Sequence, residues 1–517
     1  MYHKKSIGKG KSLRYTLHTM FFAFLLIFAS VFALICWKKN EWGLTLLFLL
    51  LPTYLIRFHI GPLPSTVLEI MIWIIVGVWA ITETGNWKLE TKNSGKSNTP
   101  IFNFQFLISK NKLLTTGIFL FLLAATVSIF TSLDIRAAAG EWKAFYVEPI
   151  LIFFIVISFL KSKSNVAMKQ CSNELKALSH CHIVTLLLVG LIICGLITSI
   201  LAIYQHFTGF LVPHAFWANQ NTYRVTGWYG FPNAVGLFLA PLVPLALYLL
   251  KGVFPILKST WLHGYMATLS YVRQDKKNNT VTMLQCNNVT LPFIGITAAL
   301  FIPLSLLAIV YAKSTGGLIG VAAGIGVLLL LRKKTRWPAI IIGLIGLFSI
   351  FSLSSLSGLR QELTFQDRSG QIRIAMWKEA TELLKDRPIL GAGLTSYTKR
   401  AVPYHKQVNG ENIEIFHHPH NIFLTIWVNL GILGLIGFLL ILVWFYKTGI
   451  TLLQCNNVTI FLLSSMTVLL VTGLVDSPYI KNDLALFFWL LVALMYTEAN
   501  TVGKKGDKIY VDKVAAP

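Results

Sequence analysis

Of 517 residues, 55% are hydrophobic and only 13% are charged, with a mean hydropathy of +0.65, a balance that argues against a water-soluble globular domain and for a polytopic membrane protein. Lys and Arg number 45 against 21 Asp and Glu, a formal charge of +24, and in a membrane protein such an excess marks cytoplasmic loops beside anionic headgroups rather than nucleic-acid binding. The six cysteines (Cys36, Cys171, Cys181, Cys194, Cys286, Cys455) form no C-x-x-C pair, so neither a disulfide framework nor a zinc site is expected, and the thiols read as structural.

In chain order, apolar runs long enough to approach a membrane crossing fall near 16–36, 42–58, 66–82, 113–132, 145–160, 183–204, 231–250, 291–311, 317–331, 338–356, 421–446, 460–475 and 484–497. They show no period-2 alternation, and backbone polar groups in a bilayer must bond within their own segment, so helices are predicted rather than barrel strands. The first run ends at Cys36-Trp37-Lys38-Lys39 without an A-x-A site and is read as retained rather than cleaved.

Loop lysines and arginines orient the bundle. Lys88, Lys92, Lys96, Lys110 and Lys112 share one loop; Lys161, Lys163, Lys169 and Lys176 a second; Lys251, Lys258, Arg273, Lys276 and Lys277 a third; and Arg332, Lys333, Lys334 and Arg336 a fourth. These loops, and the C-terminus with Lys504, Lys505 and Lys508, are predicted to be cytoplasmic. Lys4, Lys5, Lys9, Lys11 and Arg14 place the N-terminus on the same side, which requires an even number of crossings before residue 83. The segment 42–58 is short and carries Pro52, Arg57 and His59, so it is predicted to be re-entrant or interfacial.

The predicted fold is an all-α polytopic membrane helical bundle of about 12 transmembrane helices with one large extracytoplasmic loop containing an amphipathic helix. Its divisions are a basic cytoplasmic N-terminus (1–15), transmembrane helices with short loops (16–356), the large extracytoplasmic loop (357–420), C-terminal transmembrane helices (421–497) and a cytoplasmic tail (498–517). The large loop holds nine Lys or Arg and seven Asp or Glu, but loops of that length translocate largely regardless of charge. Within it, Ile372, Met376, Ala380 and Leu383/Leu384 form a stripe at helical spacing that Arg387-Pro388 and Gly391/Gly393 terminate.

Other features read as structural. Leu-Gln-Cys-Asn-Asn-Val-Thr occurs at 284–290 and again at 453–459, too short to mark a duplicated domain. Both copies contain a glycosylation sequon on the predicted cytoplasmic side, where that modification does not occur. Gly316, Gly320 and Gly324, and later Gly431, Gly434 and Gly437, are small-residue faces for close helix packing. Glu69, near the start of an apolar helix, is a functional candidate because ionisable groups are expensive inside a membrane. Asp476 and Asp483 flank the last outer turn and are read as solvated.

Three polar constellations lie on the predicted outer face. In Tyr223-Arg224-Val225-Thr226-Gly227-Trp228-Tyr229-Gly230-Phe231-Pro232-Asn233 a single arginine sits among aromatics at the mouth of a helix. It either grips a phosphate together with the helix N-terminus or snorkels to headgroups. In Arg373-Ile374-Ala375-Met376-Trp377 the Arg and Trp are one turn apart, and Arg368 with Arg373 offers a second cationic contact. His417-His418-Pro419-His420-Asn421 stands at the lip of a long apolar run, where an imidazole can act as general base. Pro419 stiffens this segment and no Cys or well-spaced carboxylate completes a ligand set, so no metal is expected there.

His420-Asn421, nine residues, then Gly431-Ile432-Leu433-Gly434 resembles the signature of the O-antigen ligase and O-antigen polymerase family of bacterial membrane glycosyltransferases. Arg373…Trp377…Ala380 followed by Asp386-Arg387-Pro388-Ile389-Leu390-Gly391-Ala392-Gly393, and Arg224-Val225-Thr226-Gly227…Phe231-Pro232-Asn233, resemble the family's upstream patterns. The similarity covers roughly residues 45 to 497. It departs at Lys313-Ser314-Thr315-Gly316-Gly317, where the family often has Ser-Arg-Gly-Gly; Thr315 cannot replace that arginine, so either Lys313 compensates or a donor contact is missing.

The resemblance implies transfer of a glycan from a polyprenyl-pyrophosphate carrier to an acceptor hydroxyl at the outer face of the cytoplasmic (inner) membrane, with no cofactor, nucleotide sugar or metal. Under it, Arg224 and Arg373 stabilise the departing pyrophosphate, His420 is the general base oriented by Asn421, with His417 and His418 as second choices. Asn421, Arg368, Trp377, Lys313 and Asn233 contact substrate. The implied partners are the lipid-linked donor, a glycan, lipid or protein acceptor, and membrane lipids, with no nucleic acid. The competing reading is a lipid-linked oligosaccharide flippase, but such transporters commonly show repeated halves and midplane polar residues, and this chain shows neither pattern in its sequence.

Overall fold

The computed structural model describes residues 3–61, 63–94, 111–170, 173–219, 223–251, 273–274, 281–282, 290–453 and 457–514. Most of the repeated Leu-Gln-Cys-Asn-Asn-Val-Thr segment, together with Cys171, Cys286, Cys455, Lys96, Lys110, Lys258, Lys276 and Lys277, lies outside them. The chain forms two compact units, Met1–Asn103 with Phe154–Gly190, and Phe104–Phe153 with Leu191–Pro517.

In the first unit, α1 (His3–Lys38), α2 (Asn40–Leu49) and α3 (Val67–Ser94) pack on one another. Gly43 of α2 lies directly on Cys36 of α1, where a Cβ would meet the thiol Sγ. The segment read as 42–58 is a ten-residue helix and therefore about 15 Å long, half of a bilayer core of about 30 Å. A 3₁₀ turn over Leu51–Leu55 ends it. There follows an antiparallel hairpin of β1 (Arg57–Ile60) and β2 (Leu63–Thr66), in register Arg57 to Thr66; with a second antiparallel pair, Arg273–Gln274 against Val281–Thr282, this departs from a purely α-helical chain. Glu69 is buried in the first turn of α3 and accepts from Ser65 Oγ at 2.9 Å, which accounts for its carboxylate within the hairpin-to-helix junction.

The second unit is the helical body that carries the polar constellations. Its helices include α4 (Lys112–Phe130), α5 (Asn233–Leu239, resuming after Ala240-Pro241 as far as Lys251), α6 (Thr290–Tyr311), α7 (Thr315–Leu330), α8 (Arg336–Ser352), α9 (Arg368–Asp386), α10 (Ile422–Leu452), α11 (Asn457–Gly473) and α12 (Asn482–Val514). Proline at 241 cannot donate to the preceding turn, and Ser465 Oγ bonds the Pro241 carbonyl at 2.6 Å beside the break.

Two packing seams hold this body. Gly320 and Gly324 of α7 face Val468 of α11 at distances a Cβ would violate, and Ser464 Oγ donates to Gly324 O at 2.7 Å, the close small-residue contact predicted from their spacing. At the second seam Phe121, Tyr146, Phe438, Tyr479 and Phe488 form an aromatic cluster. Tyr479 Oη donates to Phe145 O at 2.8 Å and accepts from Trp489 Nε1 at 3.0 Å, which anchors the turn between α11 and α12.

Among the described residues, eight helices are long and apolar enough to cross a membrane, or nine if α8 and the bent segment Ser354–Asp386, at 92° to it, make one span. This is fewer than the 12 predicted; three further apolar helices, Val67–Thr82, Thr315–Leu330 and Val458–Gly473, are shorter, and a 16-residue helix such as α7 rises only about 24 Å. No residue of α8 is buried, and its outward Ile, Leu and Phe side chains suit a hydrocarbon environment.

Candidate active site

The site grows from helix ends. Asn233 opens α5, Lys313 lies between α6 and α7, Arg373 is in the second turn of α9, His420 immediately precedes α10, and Asp476 sits in the turn between α11 and α12. Hydrogen bonds join these ends, so the polar groups gather at one end of the helical body.

A cavity of about 280 Å³ is lined by Arg224, Arg373, Lys313, Asn233 and Asp476, among others. Arg224 Nε donates to Ala312 O at 2.9 Å, and its Nη2 donates to Asn233 Oδ1 at 2.8 Å and Lys313 O at 3.2 Å. Arg373 Nε donates to Val475 O at 2.9 Å. Both guanidinium groups are thus aimed by neutral acceptors, with no carboxylate bonded to either among these contacts. Burial, followed by the nearby Arg373 charge, lowers the pKa of Arg224, with Glu362 opposing. Two like charges held at one cavity form a site that an anion relieves.

Behind the cavity runs a second set of contacts. Asn233 Nδ2 donates to Asp476 Oδ2 at 3.3 Å, and Asp476 Oδ1 pairs with His420 Nδ1 at 3.1 Å and accepts from Ser477 N–H at 2.8 Å. The chain Arg224–Asn233–Asp476–His420 therefore links the cationic wall to the histidine. Burial alone would raise the Asp476 pKa, but the His420 charge and hydrogen bond, with smaller help from His418 and the Ser477 amide, hold it below the usual carboxylate range. Asp476 stays ionised, so its bond places the His420 proton on Nδ1 and leaves the Nε2 lone pair free.

This corrects the reading of Asp476 and Asp483 as solvated, since both are buried. Anchoring of Tyr479 folds their turn inward. Lys481, from the same turn, lies 4.7 Å from the Tyr229 ring centroid and 4.1 Å from that of Phe231, tying the Arg224 segment to the Asp476 turn. Burial lowers the Lys481 pKa, against the attraction of Asp483 and Asp476. A lone carboxylate in a short turn gives no periodic signal. Its placement between two apolar runs, in Val475-Asp476-Ser477-Pro478, was the one clue available.

Other predicted residues take different places. Arg368 is exposed and pairs with Glu411 at 2.6 Å; five residues from Arg373 on one helix, it points about 140° away and does not line the cavity. Trp377 stacks edge-on against Phe365, and its Nε1 reaches His420 O at 3.4 Å, so it steadies the histidine backbone rather than Arg373. Asn421 accepts from the Phe423 and Leu424 amides as the N-cap of α10 and donates to Leu474 O at 3.1 Å. It fixes the backbone, and Asp476 holds the ring in the role expected of Asn421. Lys313 is exposed at the cavity in a left-handed conformation (φ 49°), which presents its carbonyl to Arg224. His417 is exposed, while His418 is turned inward with a buried Nδ1. Burial first, then the His420 charge, pushes the His418 pKa down to about 3.

The motif glycines have a physical role. Gly431 (φ 72°, ψ −174°) breaks α10 internally, so Ile432 N–H can bond Ile389 O at 3.1 Å and Val428 O can accept from Ala392 N–H at 2.6 Å. Gly391 (φ 64°) has no room for a Cβ beside the Val428 carbonyl. The loop that follows α9 is thereby plugged into the kink of α10, and Trp427 Nε1 donates to Pro388 O at 2.8 Å.

The O-antigen ligase family model matches residues 299–439, a stretch that includes Lys313, Arg373, His420 and the Gly431 kink. The chain therefore carries a stretch that matches the O-antigen ligase family, and its apolar helices make it a multi-pass membrane protein. Arg224, Asn233 and Asp476 fall outside the matched stretch and are joined to it by the contacts above. Curated proteins give no match to the sequence.

Proposed function

We propose that this protein transfers a glycan from a polyprenyl-pyrophosphate carrier to an acceptor hydroxyl at the outer face of the inner membrane, as a ligase or polymerase of lipopolysaccharide assembly. The observation that carries this reading is the shared cavity of Arg224, Arg373 and Lys313, backed by the Asp476–His420 pair. The N-terminus of α7, which has no side-chain cap and lines the same cavity through Ser314 to Gly317, adds backbone donors suited to phosphate. Together with Lys313 it occupies the place where the family often has an arginine.

The chemistry follows from charge. As the bond between the anomeric carbon and the carrier's phosphate oxygen breaks, negative charge builds on the diphosphate, and fixed guanidinium groups stabilise it without reorganisation. The acceptor oxygen bonds to the anomeric carbon while its proton passes to His420 Nε2, and Asp476 stabilises the resulting imidazolium. Residues of this chain supply the charge and the base, so the proposed transfer uses no metal.

Supporting a 12-span arrangement are the three short apolar helices beside the longer ones, and the basic loops favour an extracytoplasmic site. Collection of the polar residues at one end of the helices, rather than at their middles, favours chemistry at one membrane face over a flippase. Mutation of His420 to Ala should lower transfer by about 10²–10⁴-fold, the range of general-base contributions, measured with purified protein and lipid-linked donor. In cells, accumulating lipid-linked polymer with lost attachment indicates a ligase; lost chain extension indicates a polymerase. Unchanged glycans would rule out both.

A further inference from the structure

His418 is not used by the proposed transfer, yet it is the most unusual polar group near the site. Its Nδ1 is buried without a hydrogen-bond partner, and its ring centroid lies 4.7 Å from that of His420. One donor atom each from His418, His420 and Asp476 falls within a mutual 4.8 Å, and the His420–Asp476 edge is already 3.1 Å. Zinc held at about 2.0–2.2 Å by imidazole and carboxylate ligands needs ligand separations of about 3.4 Å. The cluster is therefore close to a three-ligand site, with the separation to His418 the one that metal binding would have to shorten. Remote Asp476 supplies the carboxylate that the sequence around His417 to His420 lacks, which removes the ground for expecting no metal there.

We propose that His418, His420 and Asp476 bind a borderline divalent transition ion, of which Zn²⁺ is the probe, and that the bound ion inhibits the enzyme. Two imidazoles and one carboxylate favour zinc and its neighbours over Mg²⁺ or Ca²⁺, which prefer all-oxygen sites. Asn233 Nδ2 and Ser477 N–H already bond the Asp476 carboxylate and would orient it as outer-shell partners do. Inhibition rests on the reading of His420 as base. An ion on Nδ1 takes the place of the proton shared with Asp476; the neutral ring then carries its single hydrogen on Nε2 instead, and no lone pair remains to accept from the acceptor hydroxyl.

Zinc binding to the full-length chain purified in detergent is measured by calorimetry, independently of activity. One ion per chain is expected, with affinity reduced by about 10-fold or more in His418→Ala and His418→Gln, since loss of even an outer-shell partner has that effect, while exposed His417→Ala binds as the unaltered protein does. Melting and gel filtration establish that each variant is folded. Absence of zinc binding at micromolar metal, or binding unchanged in folded His418 variants, overturns the site. Transfer is then assayed with zinc and after chelation, each variant against its own metal-free rate. Zinc inhibition that chelation reverses and that His418→Ala relieves supports the proposal; binding without inhibition overturns the inhibitory part and counts against His420 as base, while leaving the site intact.

Discussion

The two units each enclose a pocket, and the pockets differ in kind. In the first, Cys36, Leu44, Ile75, Val78, Trp79 and Phe159 are among the residues around a space of about 20 Å³, an apolar gap left by side chains that do not quite interdigitate. In the second, the cavity is more than ten times larger (about 280 Å³), and its lining includes Arg224, Lys313 and Arg373 together with Glu362, Asp367 and the buried Asp476. Packing alone explains the first. The second keeps two guanidinium groups together in partial burial, an arrangement that hydrophobic packing would eliminate and that fits the anionic donor of the proposed function.

Substitutions sharpen this contrast. The largest effect in it is expected at Arg373→Gln and Arg224→Gln, each lowering transfer by about 10²–10³-fold as loss of a preorganised donor does. Arg368→Gln, facing Glu411 instead of the cavity, should change the rate little, as expected for an exposed ion pair. Rates with purified lipid-linked donor separate the three, and equal losses at all of them would erase the distinction between cavity and surface arginines.

An intermediate effect is expected at Gly431→Ala, outside the cavity but at the kink that seats the preceding loop. A side chain there meets the Ile389 carbonyl and must adopt φ 72°, at a cost of about 1–3 kcal/mol, read as a lower melting temperature in detergent. The smallest effect belongs to Cys36→Ala in the first pocket. Removing one sulfur from an apolar gap costs about 1 kcal/mol and leaves the rate of transfer unchanged. A loss of transfer there would show that the first pocket is more than packing.

The helices were legible because membrane-length apolar runs with no period-2 alternation have one solution in hydrocarbon. Arg373, His420 and the Gly431 pattern were legible as local spacing. Asp476 was not, because its partners His420 and Asn233 lie 56 and 243 residues away. Spacing already sets Arg368 and Arg373 about 140° apart on one helix, but that the Arg373 face is the one turned to the cavity depends on the neighbouring elements and was not legible.

By itself, the amino-acid order determined a basic, multi-helical membrane protein with arginines and a histidine at the ends of its apolar runs, because hydropathy and charge act over short stretches of chain. Only tertiary packing decided that a buried aspartate, and not Asn421, holds the histidine ring, and that Arg224 and Arg373 share one cavity. The reason is physical: the Tyr479 anchor, the glycine seam of α7 and α11 and the kink at Gly431 are contacts between distant segments, and they bring helix ends together that the sequence lists far apart.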